Sequence, residues 1–570
     1  MSGDSTNSPF EYCKKTSETL KQCKVYDCGE AFGNLLVQHN VSEGGFVGAN
    51  VTTIFKLGEE GSGIKPRGPI QDYDQLKKEC LASGKSFEDP LFPRTSTLSV
   101  PRAGYDNADI VYRDIAWIRA KDIPKDKPAE FVVDGTSRMD IAQGKLADCW
   151  FQAGLSALAM NPILWSKVVP KGQSFREGEY AGIFHFRFWY FGKWVDVVVD
   201  DYLPMLWNGS QSVYAHSTEN NEFWCALLTK AYAKLYDDWG AVNWGACGEA
   251  MEDFTGGIVR VYSNDDENLF NNLLDGQEEN ALMACMRPRL NDHGPGNEAG
   301  LFEGHVYTVT KVYTNYVDGN DRVEWVRLRD PYGKYEWTGE LSEGSREWKE
   351  VPEKLKKELE MVTKRDGEFW MPFKKFKSFF TIVEICYIIP KSLTDGSSRE
   401  GKTDWQVKVF EGEWLHGVTD DELSLADRVP QYRITVKPRD KESECTVVVA
   451  VMQKYQRIKR AENRKIGFEI YELKDPKNLP KSLSVRFFKR HTPVNKNWGF
   501  PRREICYSVQ LKAGTYCIVP QIWRPQGKEE FLLRVYARNF ADDKESDGED
   551  GTDVVDEAVP ELGPVPDEDA

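Results

Sequence analysis

From Trp405 to Ala537 the sequence runs through eight short β-rich segments, WQVKVFEGEW, QYRITVKP, CTVVVAVMQKY, IGFEIYEL, LSVRFFKR, REICYSVQL, GTYCIVPQIW and EFLLRVYA, with almost no helical period between them. Segments of this length and spacing bury their alternating apolar faces by stacking two sheets, so residues 404–540 are expected to form an all-β sandwich. The stretch before it, Pro390 to Asp404, is rich in Ser, Gly, Lys and Thr and reads as a linker. A chain of 570 residues also exceeds what one hydrophobic core can serve, so other compact units must precede the sandwich.

Those units are patterned differently. DQLKKECLAS, after Tyr73, reads as an amphipathic helix, and FEDPLFP as an extended segment punctuated by proline. CWFQAGLSALAMNP is an apolar run with small residues interleaved and closed by Asn161-Pro162, which predicts a buried helix starting at Cys149. IFHFRFWYFGKWVDVVVDDYLP places two strand-like runs around a Phe191-Gly192-Lys193 turn, and NEFWCALLTKAYAKLY reads as another helix. After Gly257 the runs HVYTVTKVYTNY, DRVEWVRLRDPYG and KYEWTG suggest an antiparallel sheet. The expected class is α+β, with one lobe over 71–245, a second over 246–393, and the sandwich after them. Residues 1–70, rich in Gly, Ser and Asn, read as a weakly structured arm with a short helical candidate near Ser17 to Cys23.

The formal charge of −16 is mostly local, because residues 541–570 hold thirteen Asp or Glu against Lys544 alone. That tail has no aromatic residue and is expected to be disordered; the balanced remainder argues against nucleic acid as a partner. No run of about eighteen apolar residues occurs, and MSGDSTNSPFEYCKK lacks the apolar core of a secretory signal, so a cytoplasmic protein is expected. The twelve cysteines show no zinc-type spacing and read as mostly buried thiols rather than a disulfide framework.

A cysteine attacks as thiolate, and a helix N-terminus favours that anion; Cys149 would sit at one. A nucleophilic Cys also needs a histidine to take its proton and a polar group to orient the ring. Of seven histidines, His305 stands in a β-rich run, EGHVYTVTKVY, and Asp330 follows 25 residues later in LRDPYGKYEW. A hairpin of that length can bring the carboxylate back beside the imidazole.

QGKLADCWF, EGHVYTV and RDPYGKYEWTG, in this order, resemble the three active-site blocks of calpains. FEDPLFP, SFREGEYAGIFHF, WVDVVVDDYLP, NEFWCALLTKAYAK, EDFTGG, DGEFWM and CTVVVAVMQKYQR are also similar to calpain sequence, over roughly residues 71–540. The resemblance implies a two-lobed papain-like core followed by a C2-like sandwich, acting as a calcium-dependent cysteine endopeptidase. It assigns Cys149 as nucleophile, His305 as base, the position of Asp330 as the orienting member and Gln143 as a donor to the oxyanion.

Three residues depart from the family pattern: Asp330 stands where calpains carry Asn, Tyr332 where they carry Trp, and Ala147 where they carry Gly. An Asp at the third position is expected to raise the imidazolium pKa and shift activity in pH. The resemblance also implies two calcium ions in the core, a metal that takes six to eight hard oxygen ligands. One site would use the Asp140 and Glu222 side chains with the Val133 and Gly135 carbonyls. The other would use Glu336, Glu343, Asp366 and Glu368 with the Lys364 carbonyl. Protein substrates are the expected partners. The sandwich, with its acidic stretch Asp420-Asp421-Glu422 and basic run Lys454 to Lys465, would add intramolecular or anionic phospholipid contacts. No D-x-[DN]-x-[DN]-G loop follows residue 540, so neither a penta-EF-hand domain nor the small subunit it recruits is expected. Two alternatives are a catalytically impaired scaffold that binds calcium and partners, and a transglutaminase-like acyl transfer, which suits the Asp but not the surrounding blocks.

Overall fold

The computed structural model describes residues 53–94, 115–388 and 405–540, apart from 125, 145–147, 207–211, 244, 290–296, 318–320, 362–363, 415–429, 438–443, 455–462, 525–528 and 538–539. Expectations for residues 1–52, the 390–404 linker, the acidic stretch at 420–422 and the tail lie outside them.

The first lobe is built around the helix Cys149–Ala159, in which every residue after Cys149 is buried. Its small side chains let it lie against the helix Cys247–Thr255, and Trp224–Leu235, likewise buried along its whole length, completes the helical layer. The hairpin Ile183–Tyr190 and Lys193–Asp200 covers this layer. Its turn is as expected, with Phe191 and Gly192 at φ of 45° and 90°. Two boundaries differ from the sequence reading. Residues 53–70 are not a loose arm: Ile54–Lys56 pairs in parallel with Trp194–Asp196, Leu57 and Ile64 enter the core, and Arg67 donates to the carbonyls of Lys234 and Leu235. The helix Cys247–Thr255 also belongs to the first lobe, because Cys247, Ala250, Met251 and Phe254 pack in its core, so the crossing between lobes falls at Gly256-Gly257 rather than at residue 246.

The second lobe is a six-stranded antiparallel sheet in the order Glu368–Pro372, Asp321–Arg329, His305–Val317, Leu282–Arg287, Ile382–Tyr387, Ile258–Ser263. KYEWTG, expected as a strand, is irregular. Trp337 folds inward and donates to the Glu340 carbonyl, and Glu368–Pro372 takes the edge position instead.

Two four-stranded antiparallel sheets form the sandwich expected over 404–540. LSVRFFKR is not one of its strands. Ser484 caps Phe487 N–H and Val485–Arg490 is a helical turn, while the unforeseen strand Asn495–Pro501 fills the sheet edge. The sandwich docks on the protease lobes through buried arginines. Arg503 binds Glu252, Asp253 and the Glu249 carbonyl of the helix Cys247–Thr255. Arg534, held by Glu504, donates to the carbonyls of Gly256 (2.8 Å) and Gly257 (3.1 Å). Gly256 ends the helix at φ 68°, and a Cβ on Gly257 would lie 2.6 Å from Cys386 Sγ, so both positions require glycine.

Removing one partner from a buried charge pair leaves the other uncompensated. Arg503→Met is therefore expected to cost about 3–5 kcal/mol, read as a large fall in thermal midpoint. Arg502→Met, which breaks a partly exposed pair with Glu384, is expected to cost less than about 1 kcal/mol. Equal effects of the two changes would contradict this account.

Candidate active site

Cys149 is the first residue of its helix. Asp148 precedes it, and the Asp148 carbonyl accepts the N–H groups of Phe151 and Gln152 at 2.9 and 3.0 Å. The sulfur is therefore presented at the positive end of a helix whose remaining side chains are locked in the core. His305 opens the central strand of the second lobe, and Thr308 of that strand pairs with Arg329 of its neighbour, so the hairpin brings Asp330 back to the imidazole. His305 Nε2 lies 2.8 Å from Asp330 Oδ1. The carboxylate is fully buried and its backbone is pinned: Asp330 N–H donates to the Gly367 carbonyl, Gly333 N–H donates to the Asp330 carbonyl, and Tyr332 N–H donates to Oδ1.

The Cys149 sulfur acts electrostatically on the same imidazole. With Nε2 taken by Asp330, Nδ1 is the nitrogen left to accept a proton from sulfur. Burial by itself lowers the imidazolium pKa, but the Cys149 sulfur and Asp330 outweigh it, and His305 is pushed up to about 10. Tyr332 stacks on the ring with centroids 5.1 Å apart, and Phe302 and Tyr335 stand edge-on around it, giving the histidine an aromatic wall. The residue that stacks is thus the tyrosine that stands where calpains carry tryptophan. Ala147 lies outside the described residues.

Gln143 sits in an irregular segment facing the second lobe. Its N–H donates to the Pro331 carbonyl at 2.8 Å, Ala142 pairs with His216, and a Cβ at Gly144 would lie 2.3 Å from the Tyr214 carbonyl, so position 144 requires glycine. The Gln143 side chain is buried near the Asp148 carboxylate, which accepts Gln152 Nε2 at 3.0 Å. Burial pushes the Asp148 carboxyl up to about 7, against the opposing pull of these amides. Asp148 was not singled out from sequence, because an Asp just before an apolar helix is an ordinary cap pattern.

The expected calcium ligands fall into two loops. In the first, Glu222 Oε1 accepts Val133 N–H at 2.7 Å and Oε2 accepts Ser217 Oγ at 2.6 Å, while Asp140 Oδ2 accepts Ser137 N–H. Burial, with Asp140 and Glu219 adding, pushes Glu222 up to about 7. In the second, Glu336 accepts from Asp366 and Gly367, and Glu343 accepts from Lys364. Burial, with Glu336 and Asp366 adding, pushes Glu343 up to about 7. Glu368 departs from the expected set: its carboxylate is turned onto Arg138 of the first lobe at 2.6 and 2.8 Å and lies near Arg327 at 3.5 Å. Burial works against its charge, but these arginines hold its pKa below the ordinary value. Among the described residues no three acidic, histidine or cysteine side chains converge on one point as they stand. The donors are nevertheless hard oxygens that raise one another's pKa, a set whose chemistry suits calcium.

A family model described as calpain family cysteine protease matches residues 87–387, and one for the calpain large subunit, domain III, matches residues 411–536. Calpain-A of Drosophila melanogaster is 42% identical over 86% of this chain and 60% of its own length; calpain-B of the same organism is 39% identical over 86% and 54%. The calpain-1 catalytic subunit of Gallus gallus is 35% identical over 88% of this chain and 72% of its own. The chain therefore spans little more than half the length of the two Drosophila relatives. Matched through both its two-lobed core and its sandwich, the chain belongs to the calpain family of cysteine proteases.

Proposed function

We propose that this chain is a calcium-regulated intracellular cysteine endopeptidase that performs limited proteolysis of proteins. The observation that supports it is Cys149 at the first turn of its helix together with a His305 imidazole whose Nε2 is taken by buried Asp330 and whose pKa the Cys149 sulfur raises. His305 Nδ1 takes the thiol proton and the thiolate attacks the peptide carbonyl carbon. The C–S bond forms while the carbonyl π pair moves to oxygen, where the Gln143 amide donates to it; one such donor is worth roughly 3 kcal/mol. Imidazolium returns the proton to the departing amine as the C–N bond breaks. His305 then deprotonates a water that hydrolyses the thioester and frees the sulfur. Asp330 keeps the ring oriented and balances its charge.

Calcium, when bound, would supply cations that relieve repulsion among the acidic loops of each lobe. Asp140 and Glu222, with the Val133 and Gly135 carbonyls, would hold one ion. Glu336, Glu343 and Asp366, with the Lys364 carbonyl, would hold the other. Among the described residues no helix is long and apolar enough to cross a membrane. Contact with anionic phospholipid through the sandwich remains part of the proposal.

Cys149→Ala is expected to abolish hydrolysis of casein and labelling by a Cys-directed electrophilic peptide. Labelling that persists in this variant would remove Cys149 as nucleophile, while labelling without turnover in the native chain would favour the impaired scaffold.

Because His305 is pushed up to about 10, its imidazolium persists into alkaline solution, whereas thioester hydrolysis needs the neutral ring and so quickens as pH rises. Asp330→Asn withdraws the charge that stabilises imidazolium. It is expected to move the alkaline limb of kcat/KM down by about one unit or more and the kcat optimum toward neutral pH. Superimposable profiles would contradict the proposed role of Asp330.

Titration calorimetry is expected to show calcium binding to the native chain, with Glu222→Gln and Glu343→Gln each weakening a different site. Absence of binding heat, together with calcium-independent labelling of Cys149, would discard the regulatory reading.

A further inference from the structure

The segment from Lys474 to His491 holds six Lys or Arg against Asp475 alone. It joins the strand Lys465–Leu473 to the edge strand Asn495–Pro501 and lies on the sheet that these two form with Gly514–Ile522 and Tyr432–Val436. Its apolar side chains turn inward: Leu483 is buried with Tyr471, Cys517 and Val519, while Phe487 and Phe488 stand edge-on to the Tyr471 ring. Its backbone is held by Gln431, which accepts Leu483 N–H at 2.8 Å and donates to the Leu483 carbonyl at 3.1 Å, and by Arg433, which donates to the Pro480 carbonyl. Lys474, Lys477, Lys481, Arg486, Lys489 and Arg490 are thereby left outside, all exposed, and none forms a side-chain ion pair with a described residue. Cations fixed this close repel one another, and a chain of anions laid across them removes that repulsion.

We infer that the acidic segment 541–570 of this same chain seats on the basic face presented by residues 474–491 and covers it against other polyanions. Charge matches, since 541–570 holds thirteen Asp or Glu against Lys544, six of the acids within 541–550. Position matches as well. Phe540, from which the segment departs, is bridged to Val436 and donates its N–H to Gln406 Oε1. Thr515 pairs with Thr435 on one side and Leu473 on the other, so the basic segment starts at the same end of the sheet. Three strand spacings, about 15 Å, separate the two points, whereas thirty residues can span about 100 Å. Tethering at that range sets an effective concentration in the millimolar regime, enough for contacts that are weak singly to hold together. The face also offers charge without an apolar anchor, since no large apolar residue described in 474–491 is exposed, and this suits an acidic peptide better than a membrane, which rewards inserted apolar side chains. No group of the cleft takes part, so the inference stands apart from the protease chemistry.

The test is carbodiimide coupling in the full chain, which joins a carboxylate to a lysine amine in contact with it, on a mixture of unlabelled and heavy-nitrogen protein read by mass spectrometry. Amide links between 541–570 and Lys474, Lys477, Lys481 and Lys489 are expected within single chains at low salt, and about tenfold fewer at 1 M salt, where screening acts within about 3 Å. Arg486→Gln combined with Arg490→Gln, neither of which can itself be coupled, is expected to lower links to the four lysines at least about threefold with the thermal midpoint unchanged. Links no more frequent than those to exposed Lys78 and Lys171 of the first lobe would overturn the inference, because the segment would then have no seat. Links found only between differently labelled chains would overturn it in favour of a second copy as occupant. Absence of links, together with binding of the native chain to phosphatidylserine vesicles that the double arginine variant loses, would give the face to a membrane surface instead.

Discussion

The cleft can work only if two separately cored lobes meet in one register, and the buried guanidinium of Arg329 sits where that register is set. From its strand in the second lobe it donates to the Ile141 and Met139 carbonyls of the first lobe at 2.9 and 3.3 Å, and to the Asp366 carbonyl of its own lobe at 2.7 Å. Hydrogen bonds from a charged donor are worth about 1.5–3 kcal/mol each when their geometry is satisfied, more than a surface ion pair yields. Lighter contacts follow the same seam: Gln143 N–H to Pro331, Thr308 Oγ1 to the Ala153 carbonyl of the thiol helix, and Arg138 to Glu368. Arg329 also immediately precedes Asp330, so the residue that registers the lobes and the residue that orients the imidazole share one backbone turn.

That arrangement makes the third member of the site an electrostatic choice as well as a geometric one. An amide in place of Asp330 would orient the ring with a neutral group, whereas a buried carboxylate adds a full charge next to a cation that must form and vanish during each cycle. The aromatic wall of Tyr332, Phe302 and Tyr335 limits the water that could screen this charge, which strengthens it.

Much of this was legible in the residues themselves. The helix at Cys149 declared itself through an unbroken apolar run, the Phe191-Gly192 hairpin through its turn chemistry, and the His305 to Asp330 pairing through a spacing that an antiparallel return satisfies. Misreadings arose where tertiary contacts outweighed local pattern. KYEWTG has strand composition, but Trp337 is drawn into the core and Glu336 is spent on the backbone of Asp366 and Gly367. LSVRFFKR alternates well enough for a strand, yet the Ser484 cap turns it into a helix. Residues 53–70 carry little periodicity because they are ordered by what they dock against rather than by their own alternation. Glu368 and Asp148 could not be placed from sequence, since whether a carboxylate meets an arginine, an amide or solvent depends on chain segments far away.

Only two peptide units carry the chain from one lobe to the other at Gly256-Gly257, and Arg534 of the sandwich holds the carbonyl of each. A twist of either lobe about that pivot must therefore stretch those bonds or swing the sandwich with it, as an arm swings with its axle. The sandwich is in this sense geared to the cleft it never lines, and a load applied to its outer strands has a short mechanical path to the joint between sulfur and imidazole.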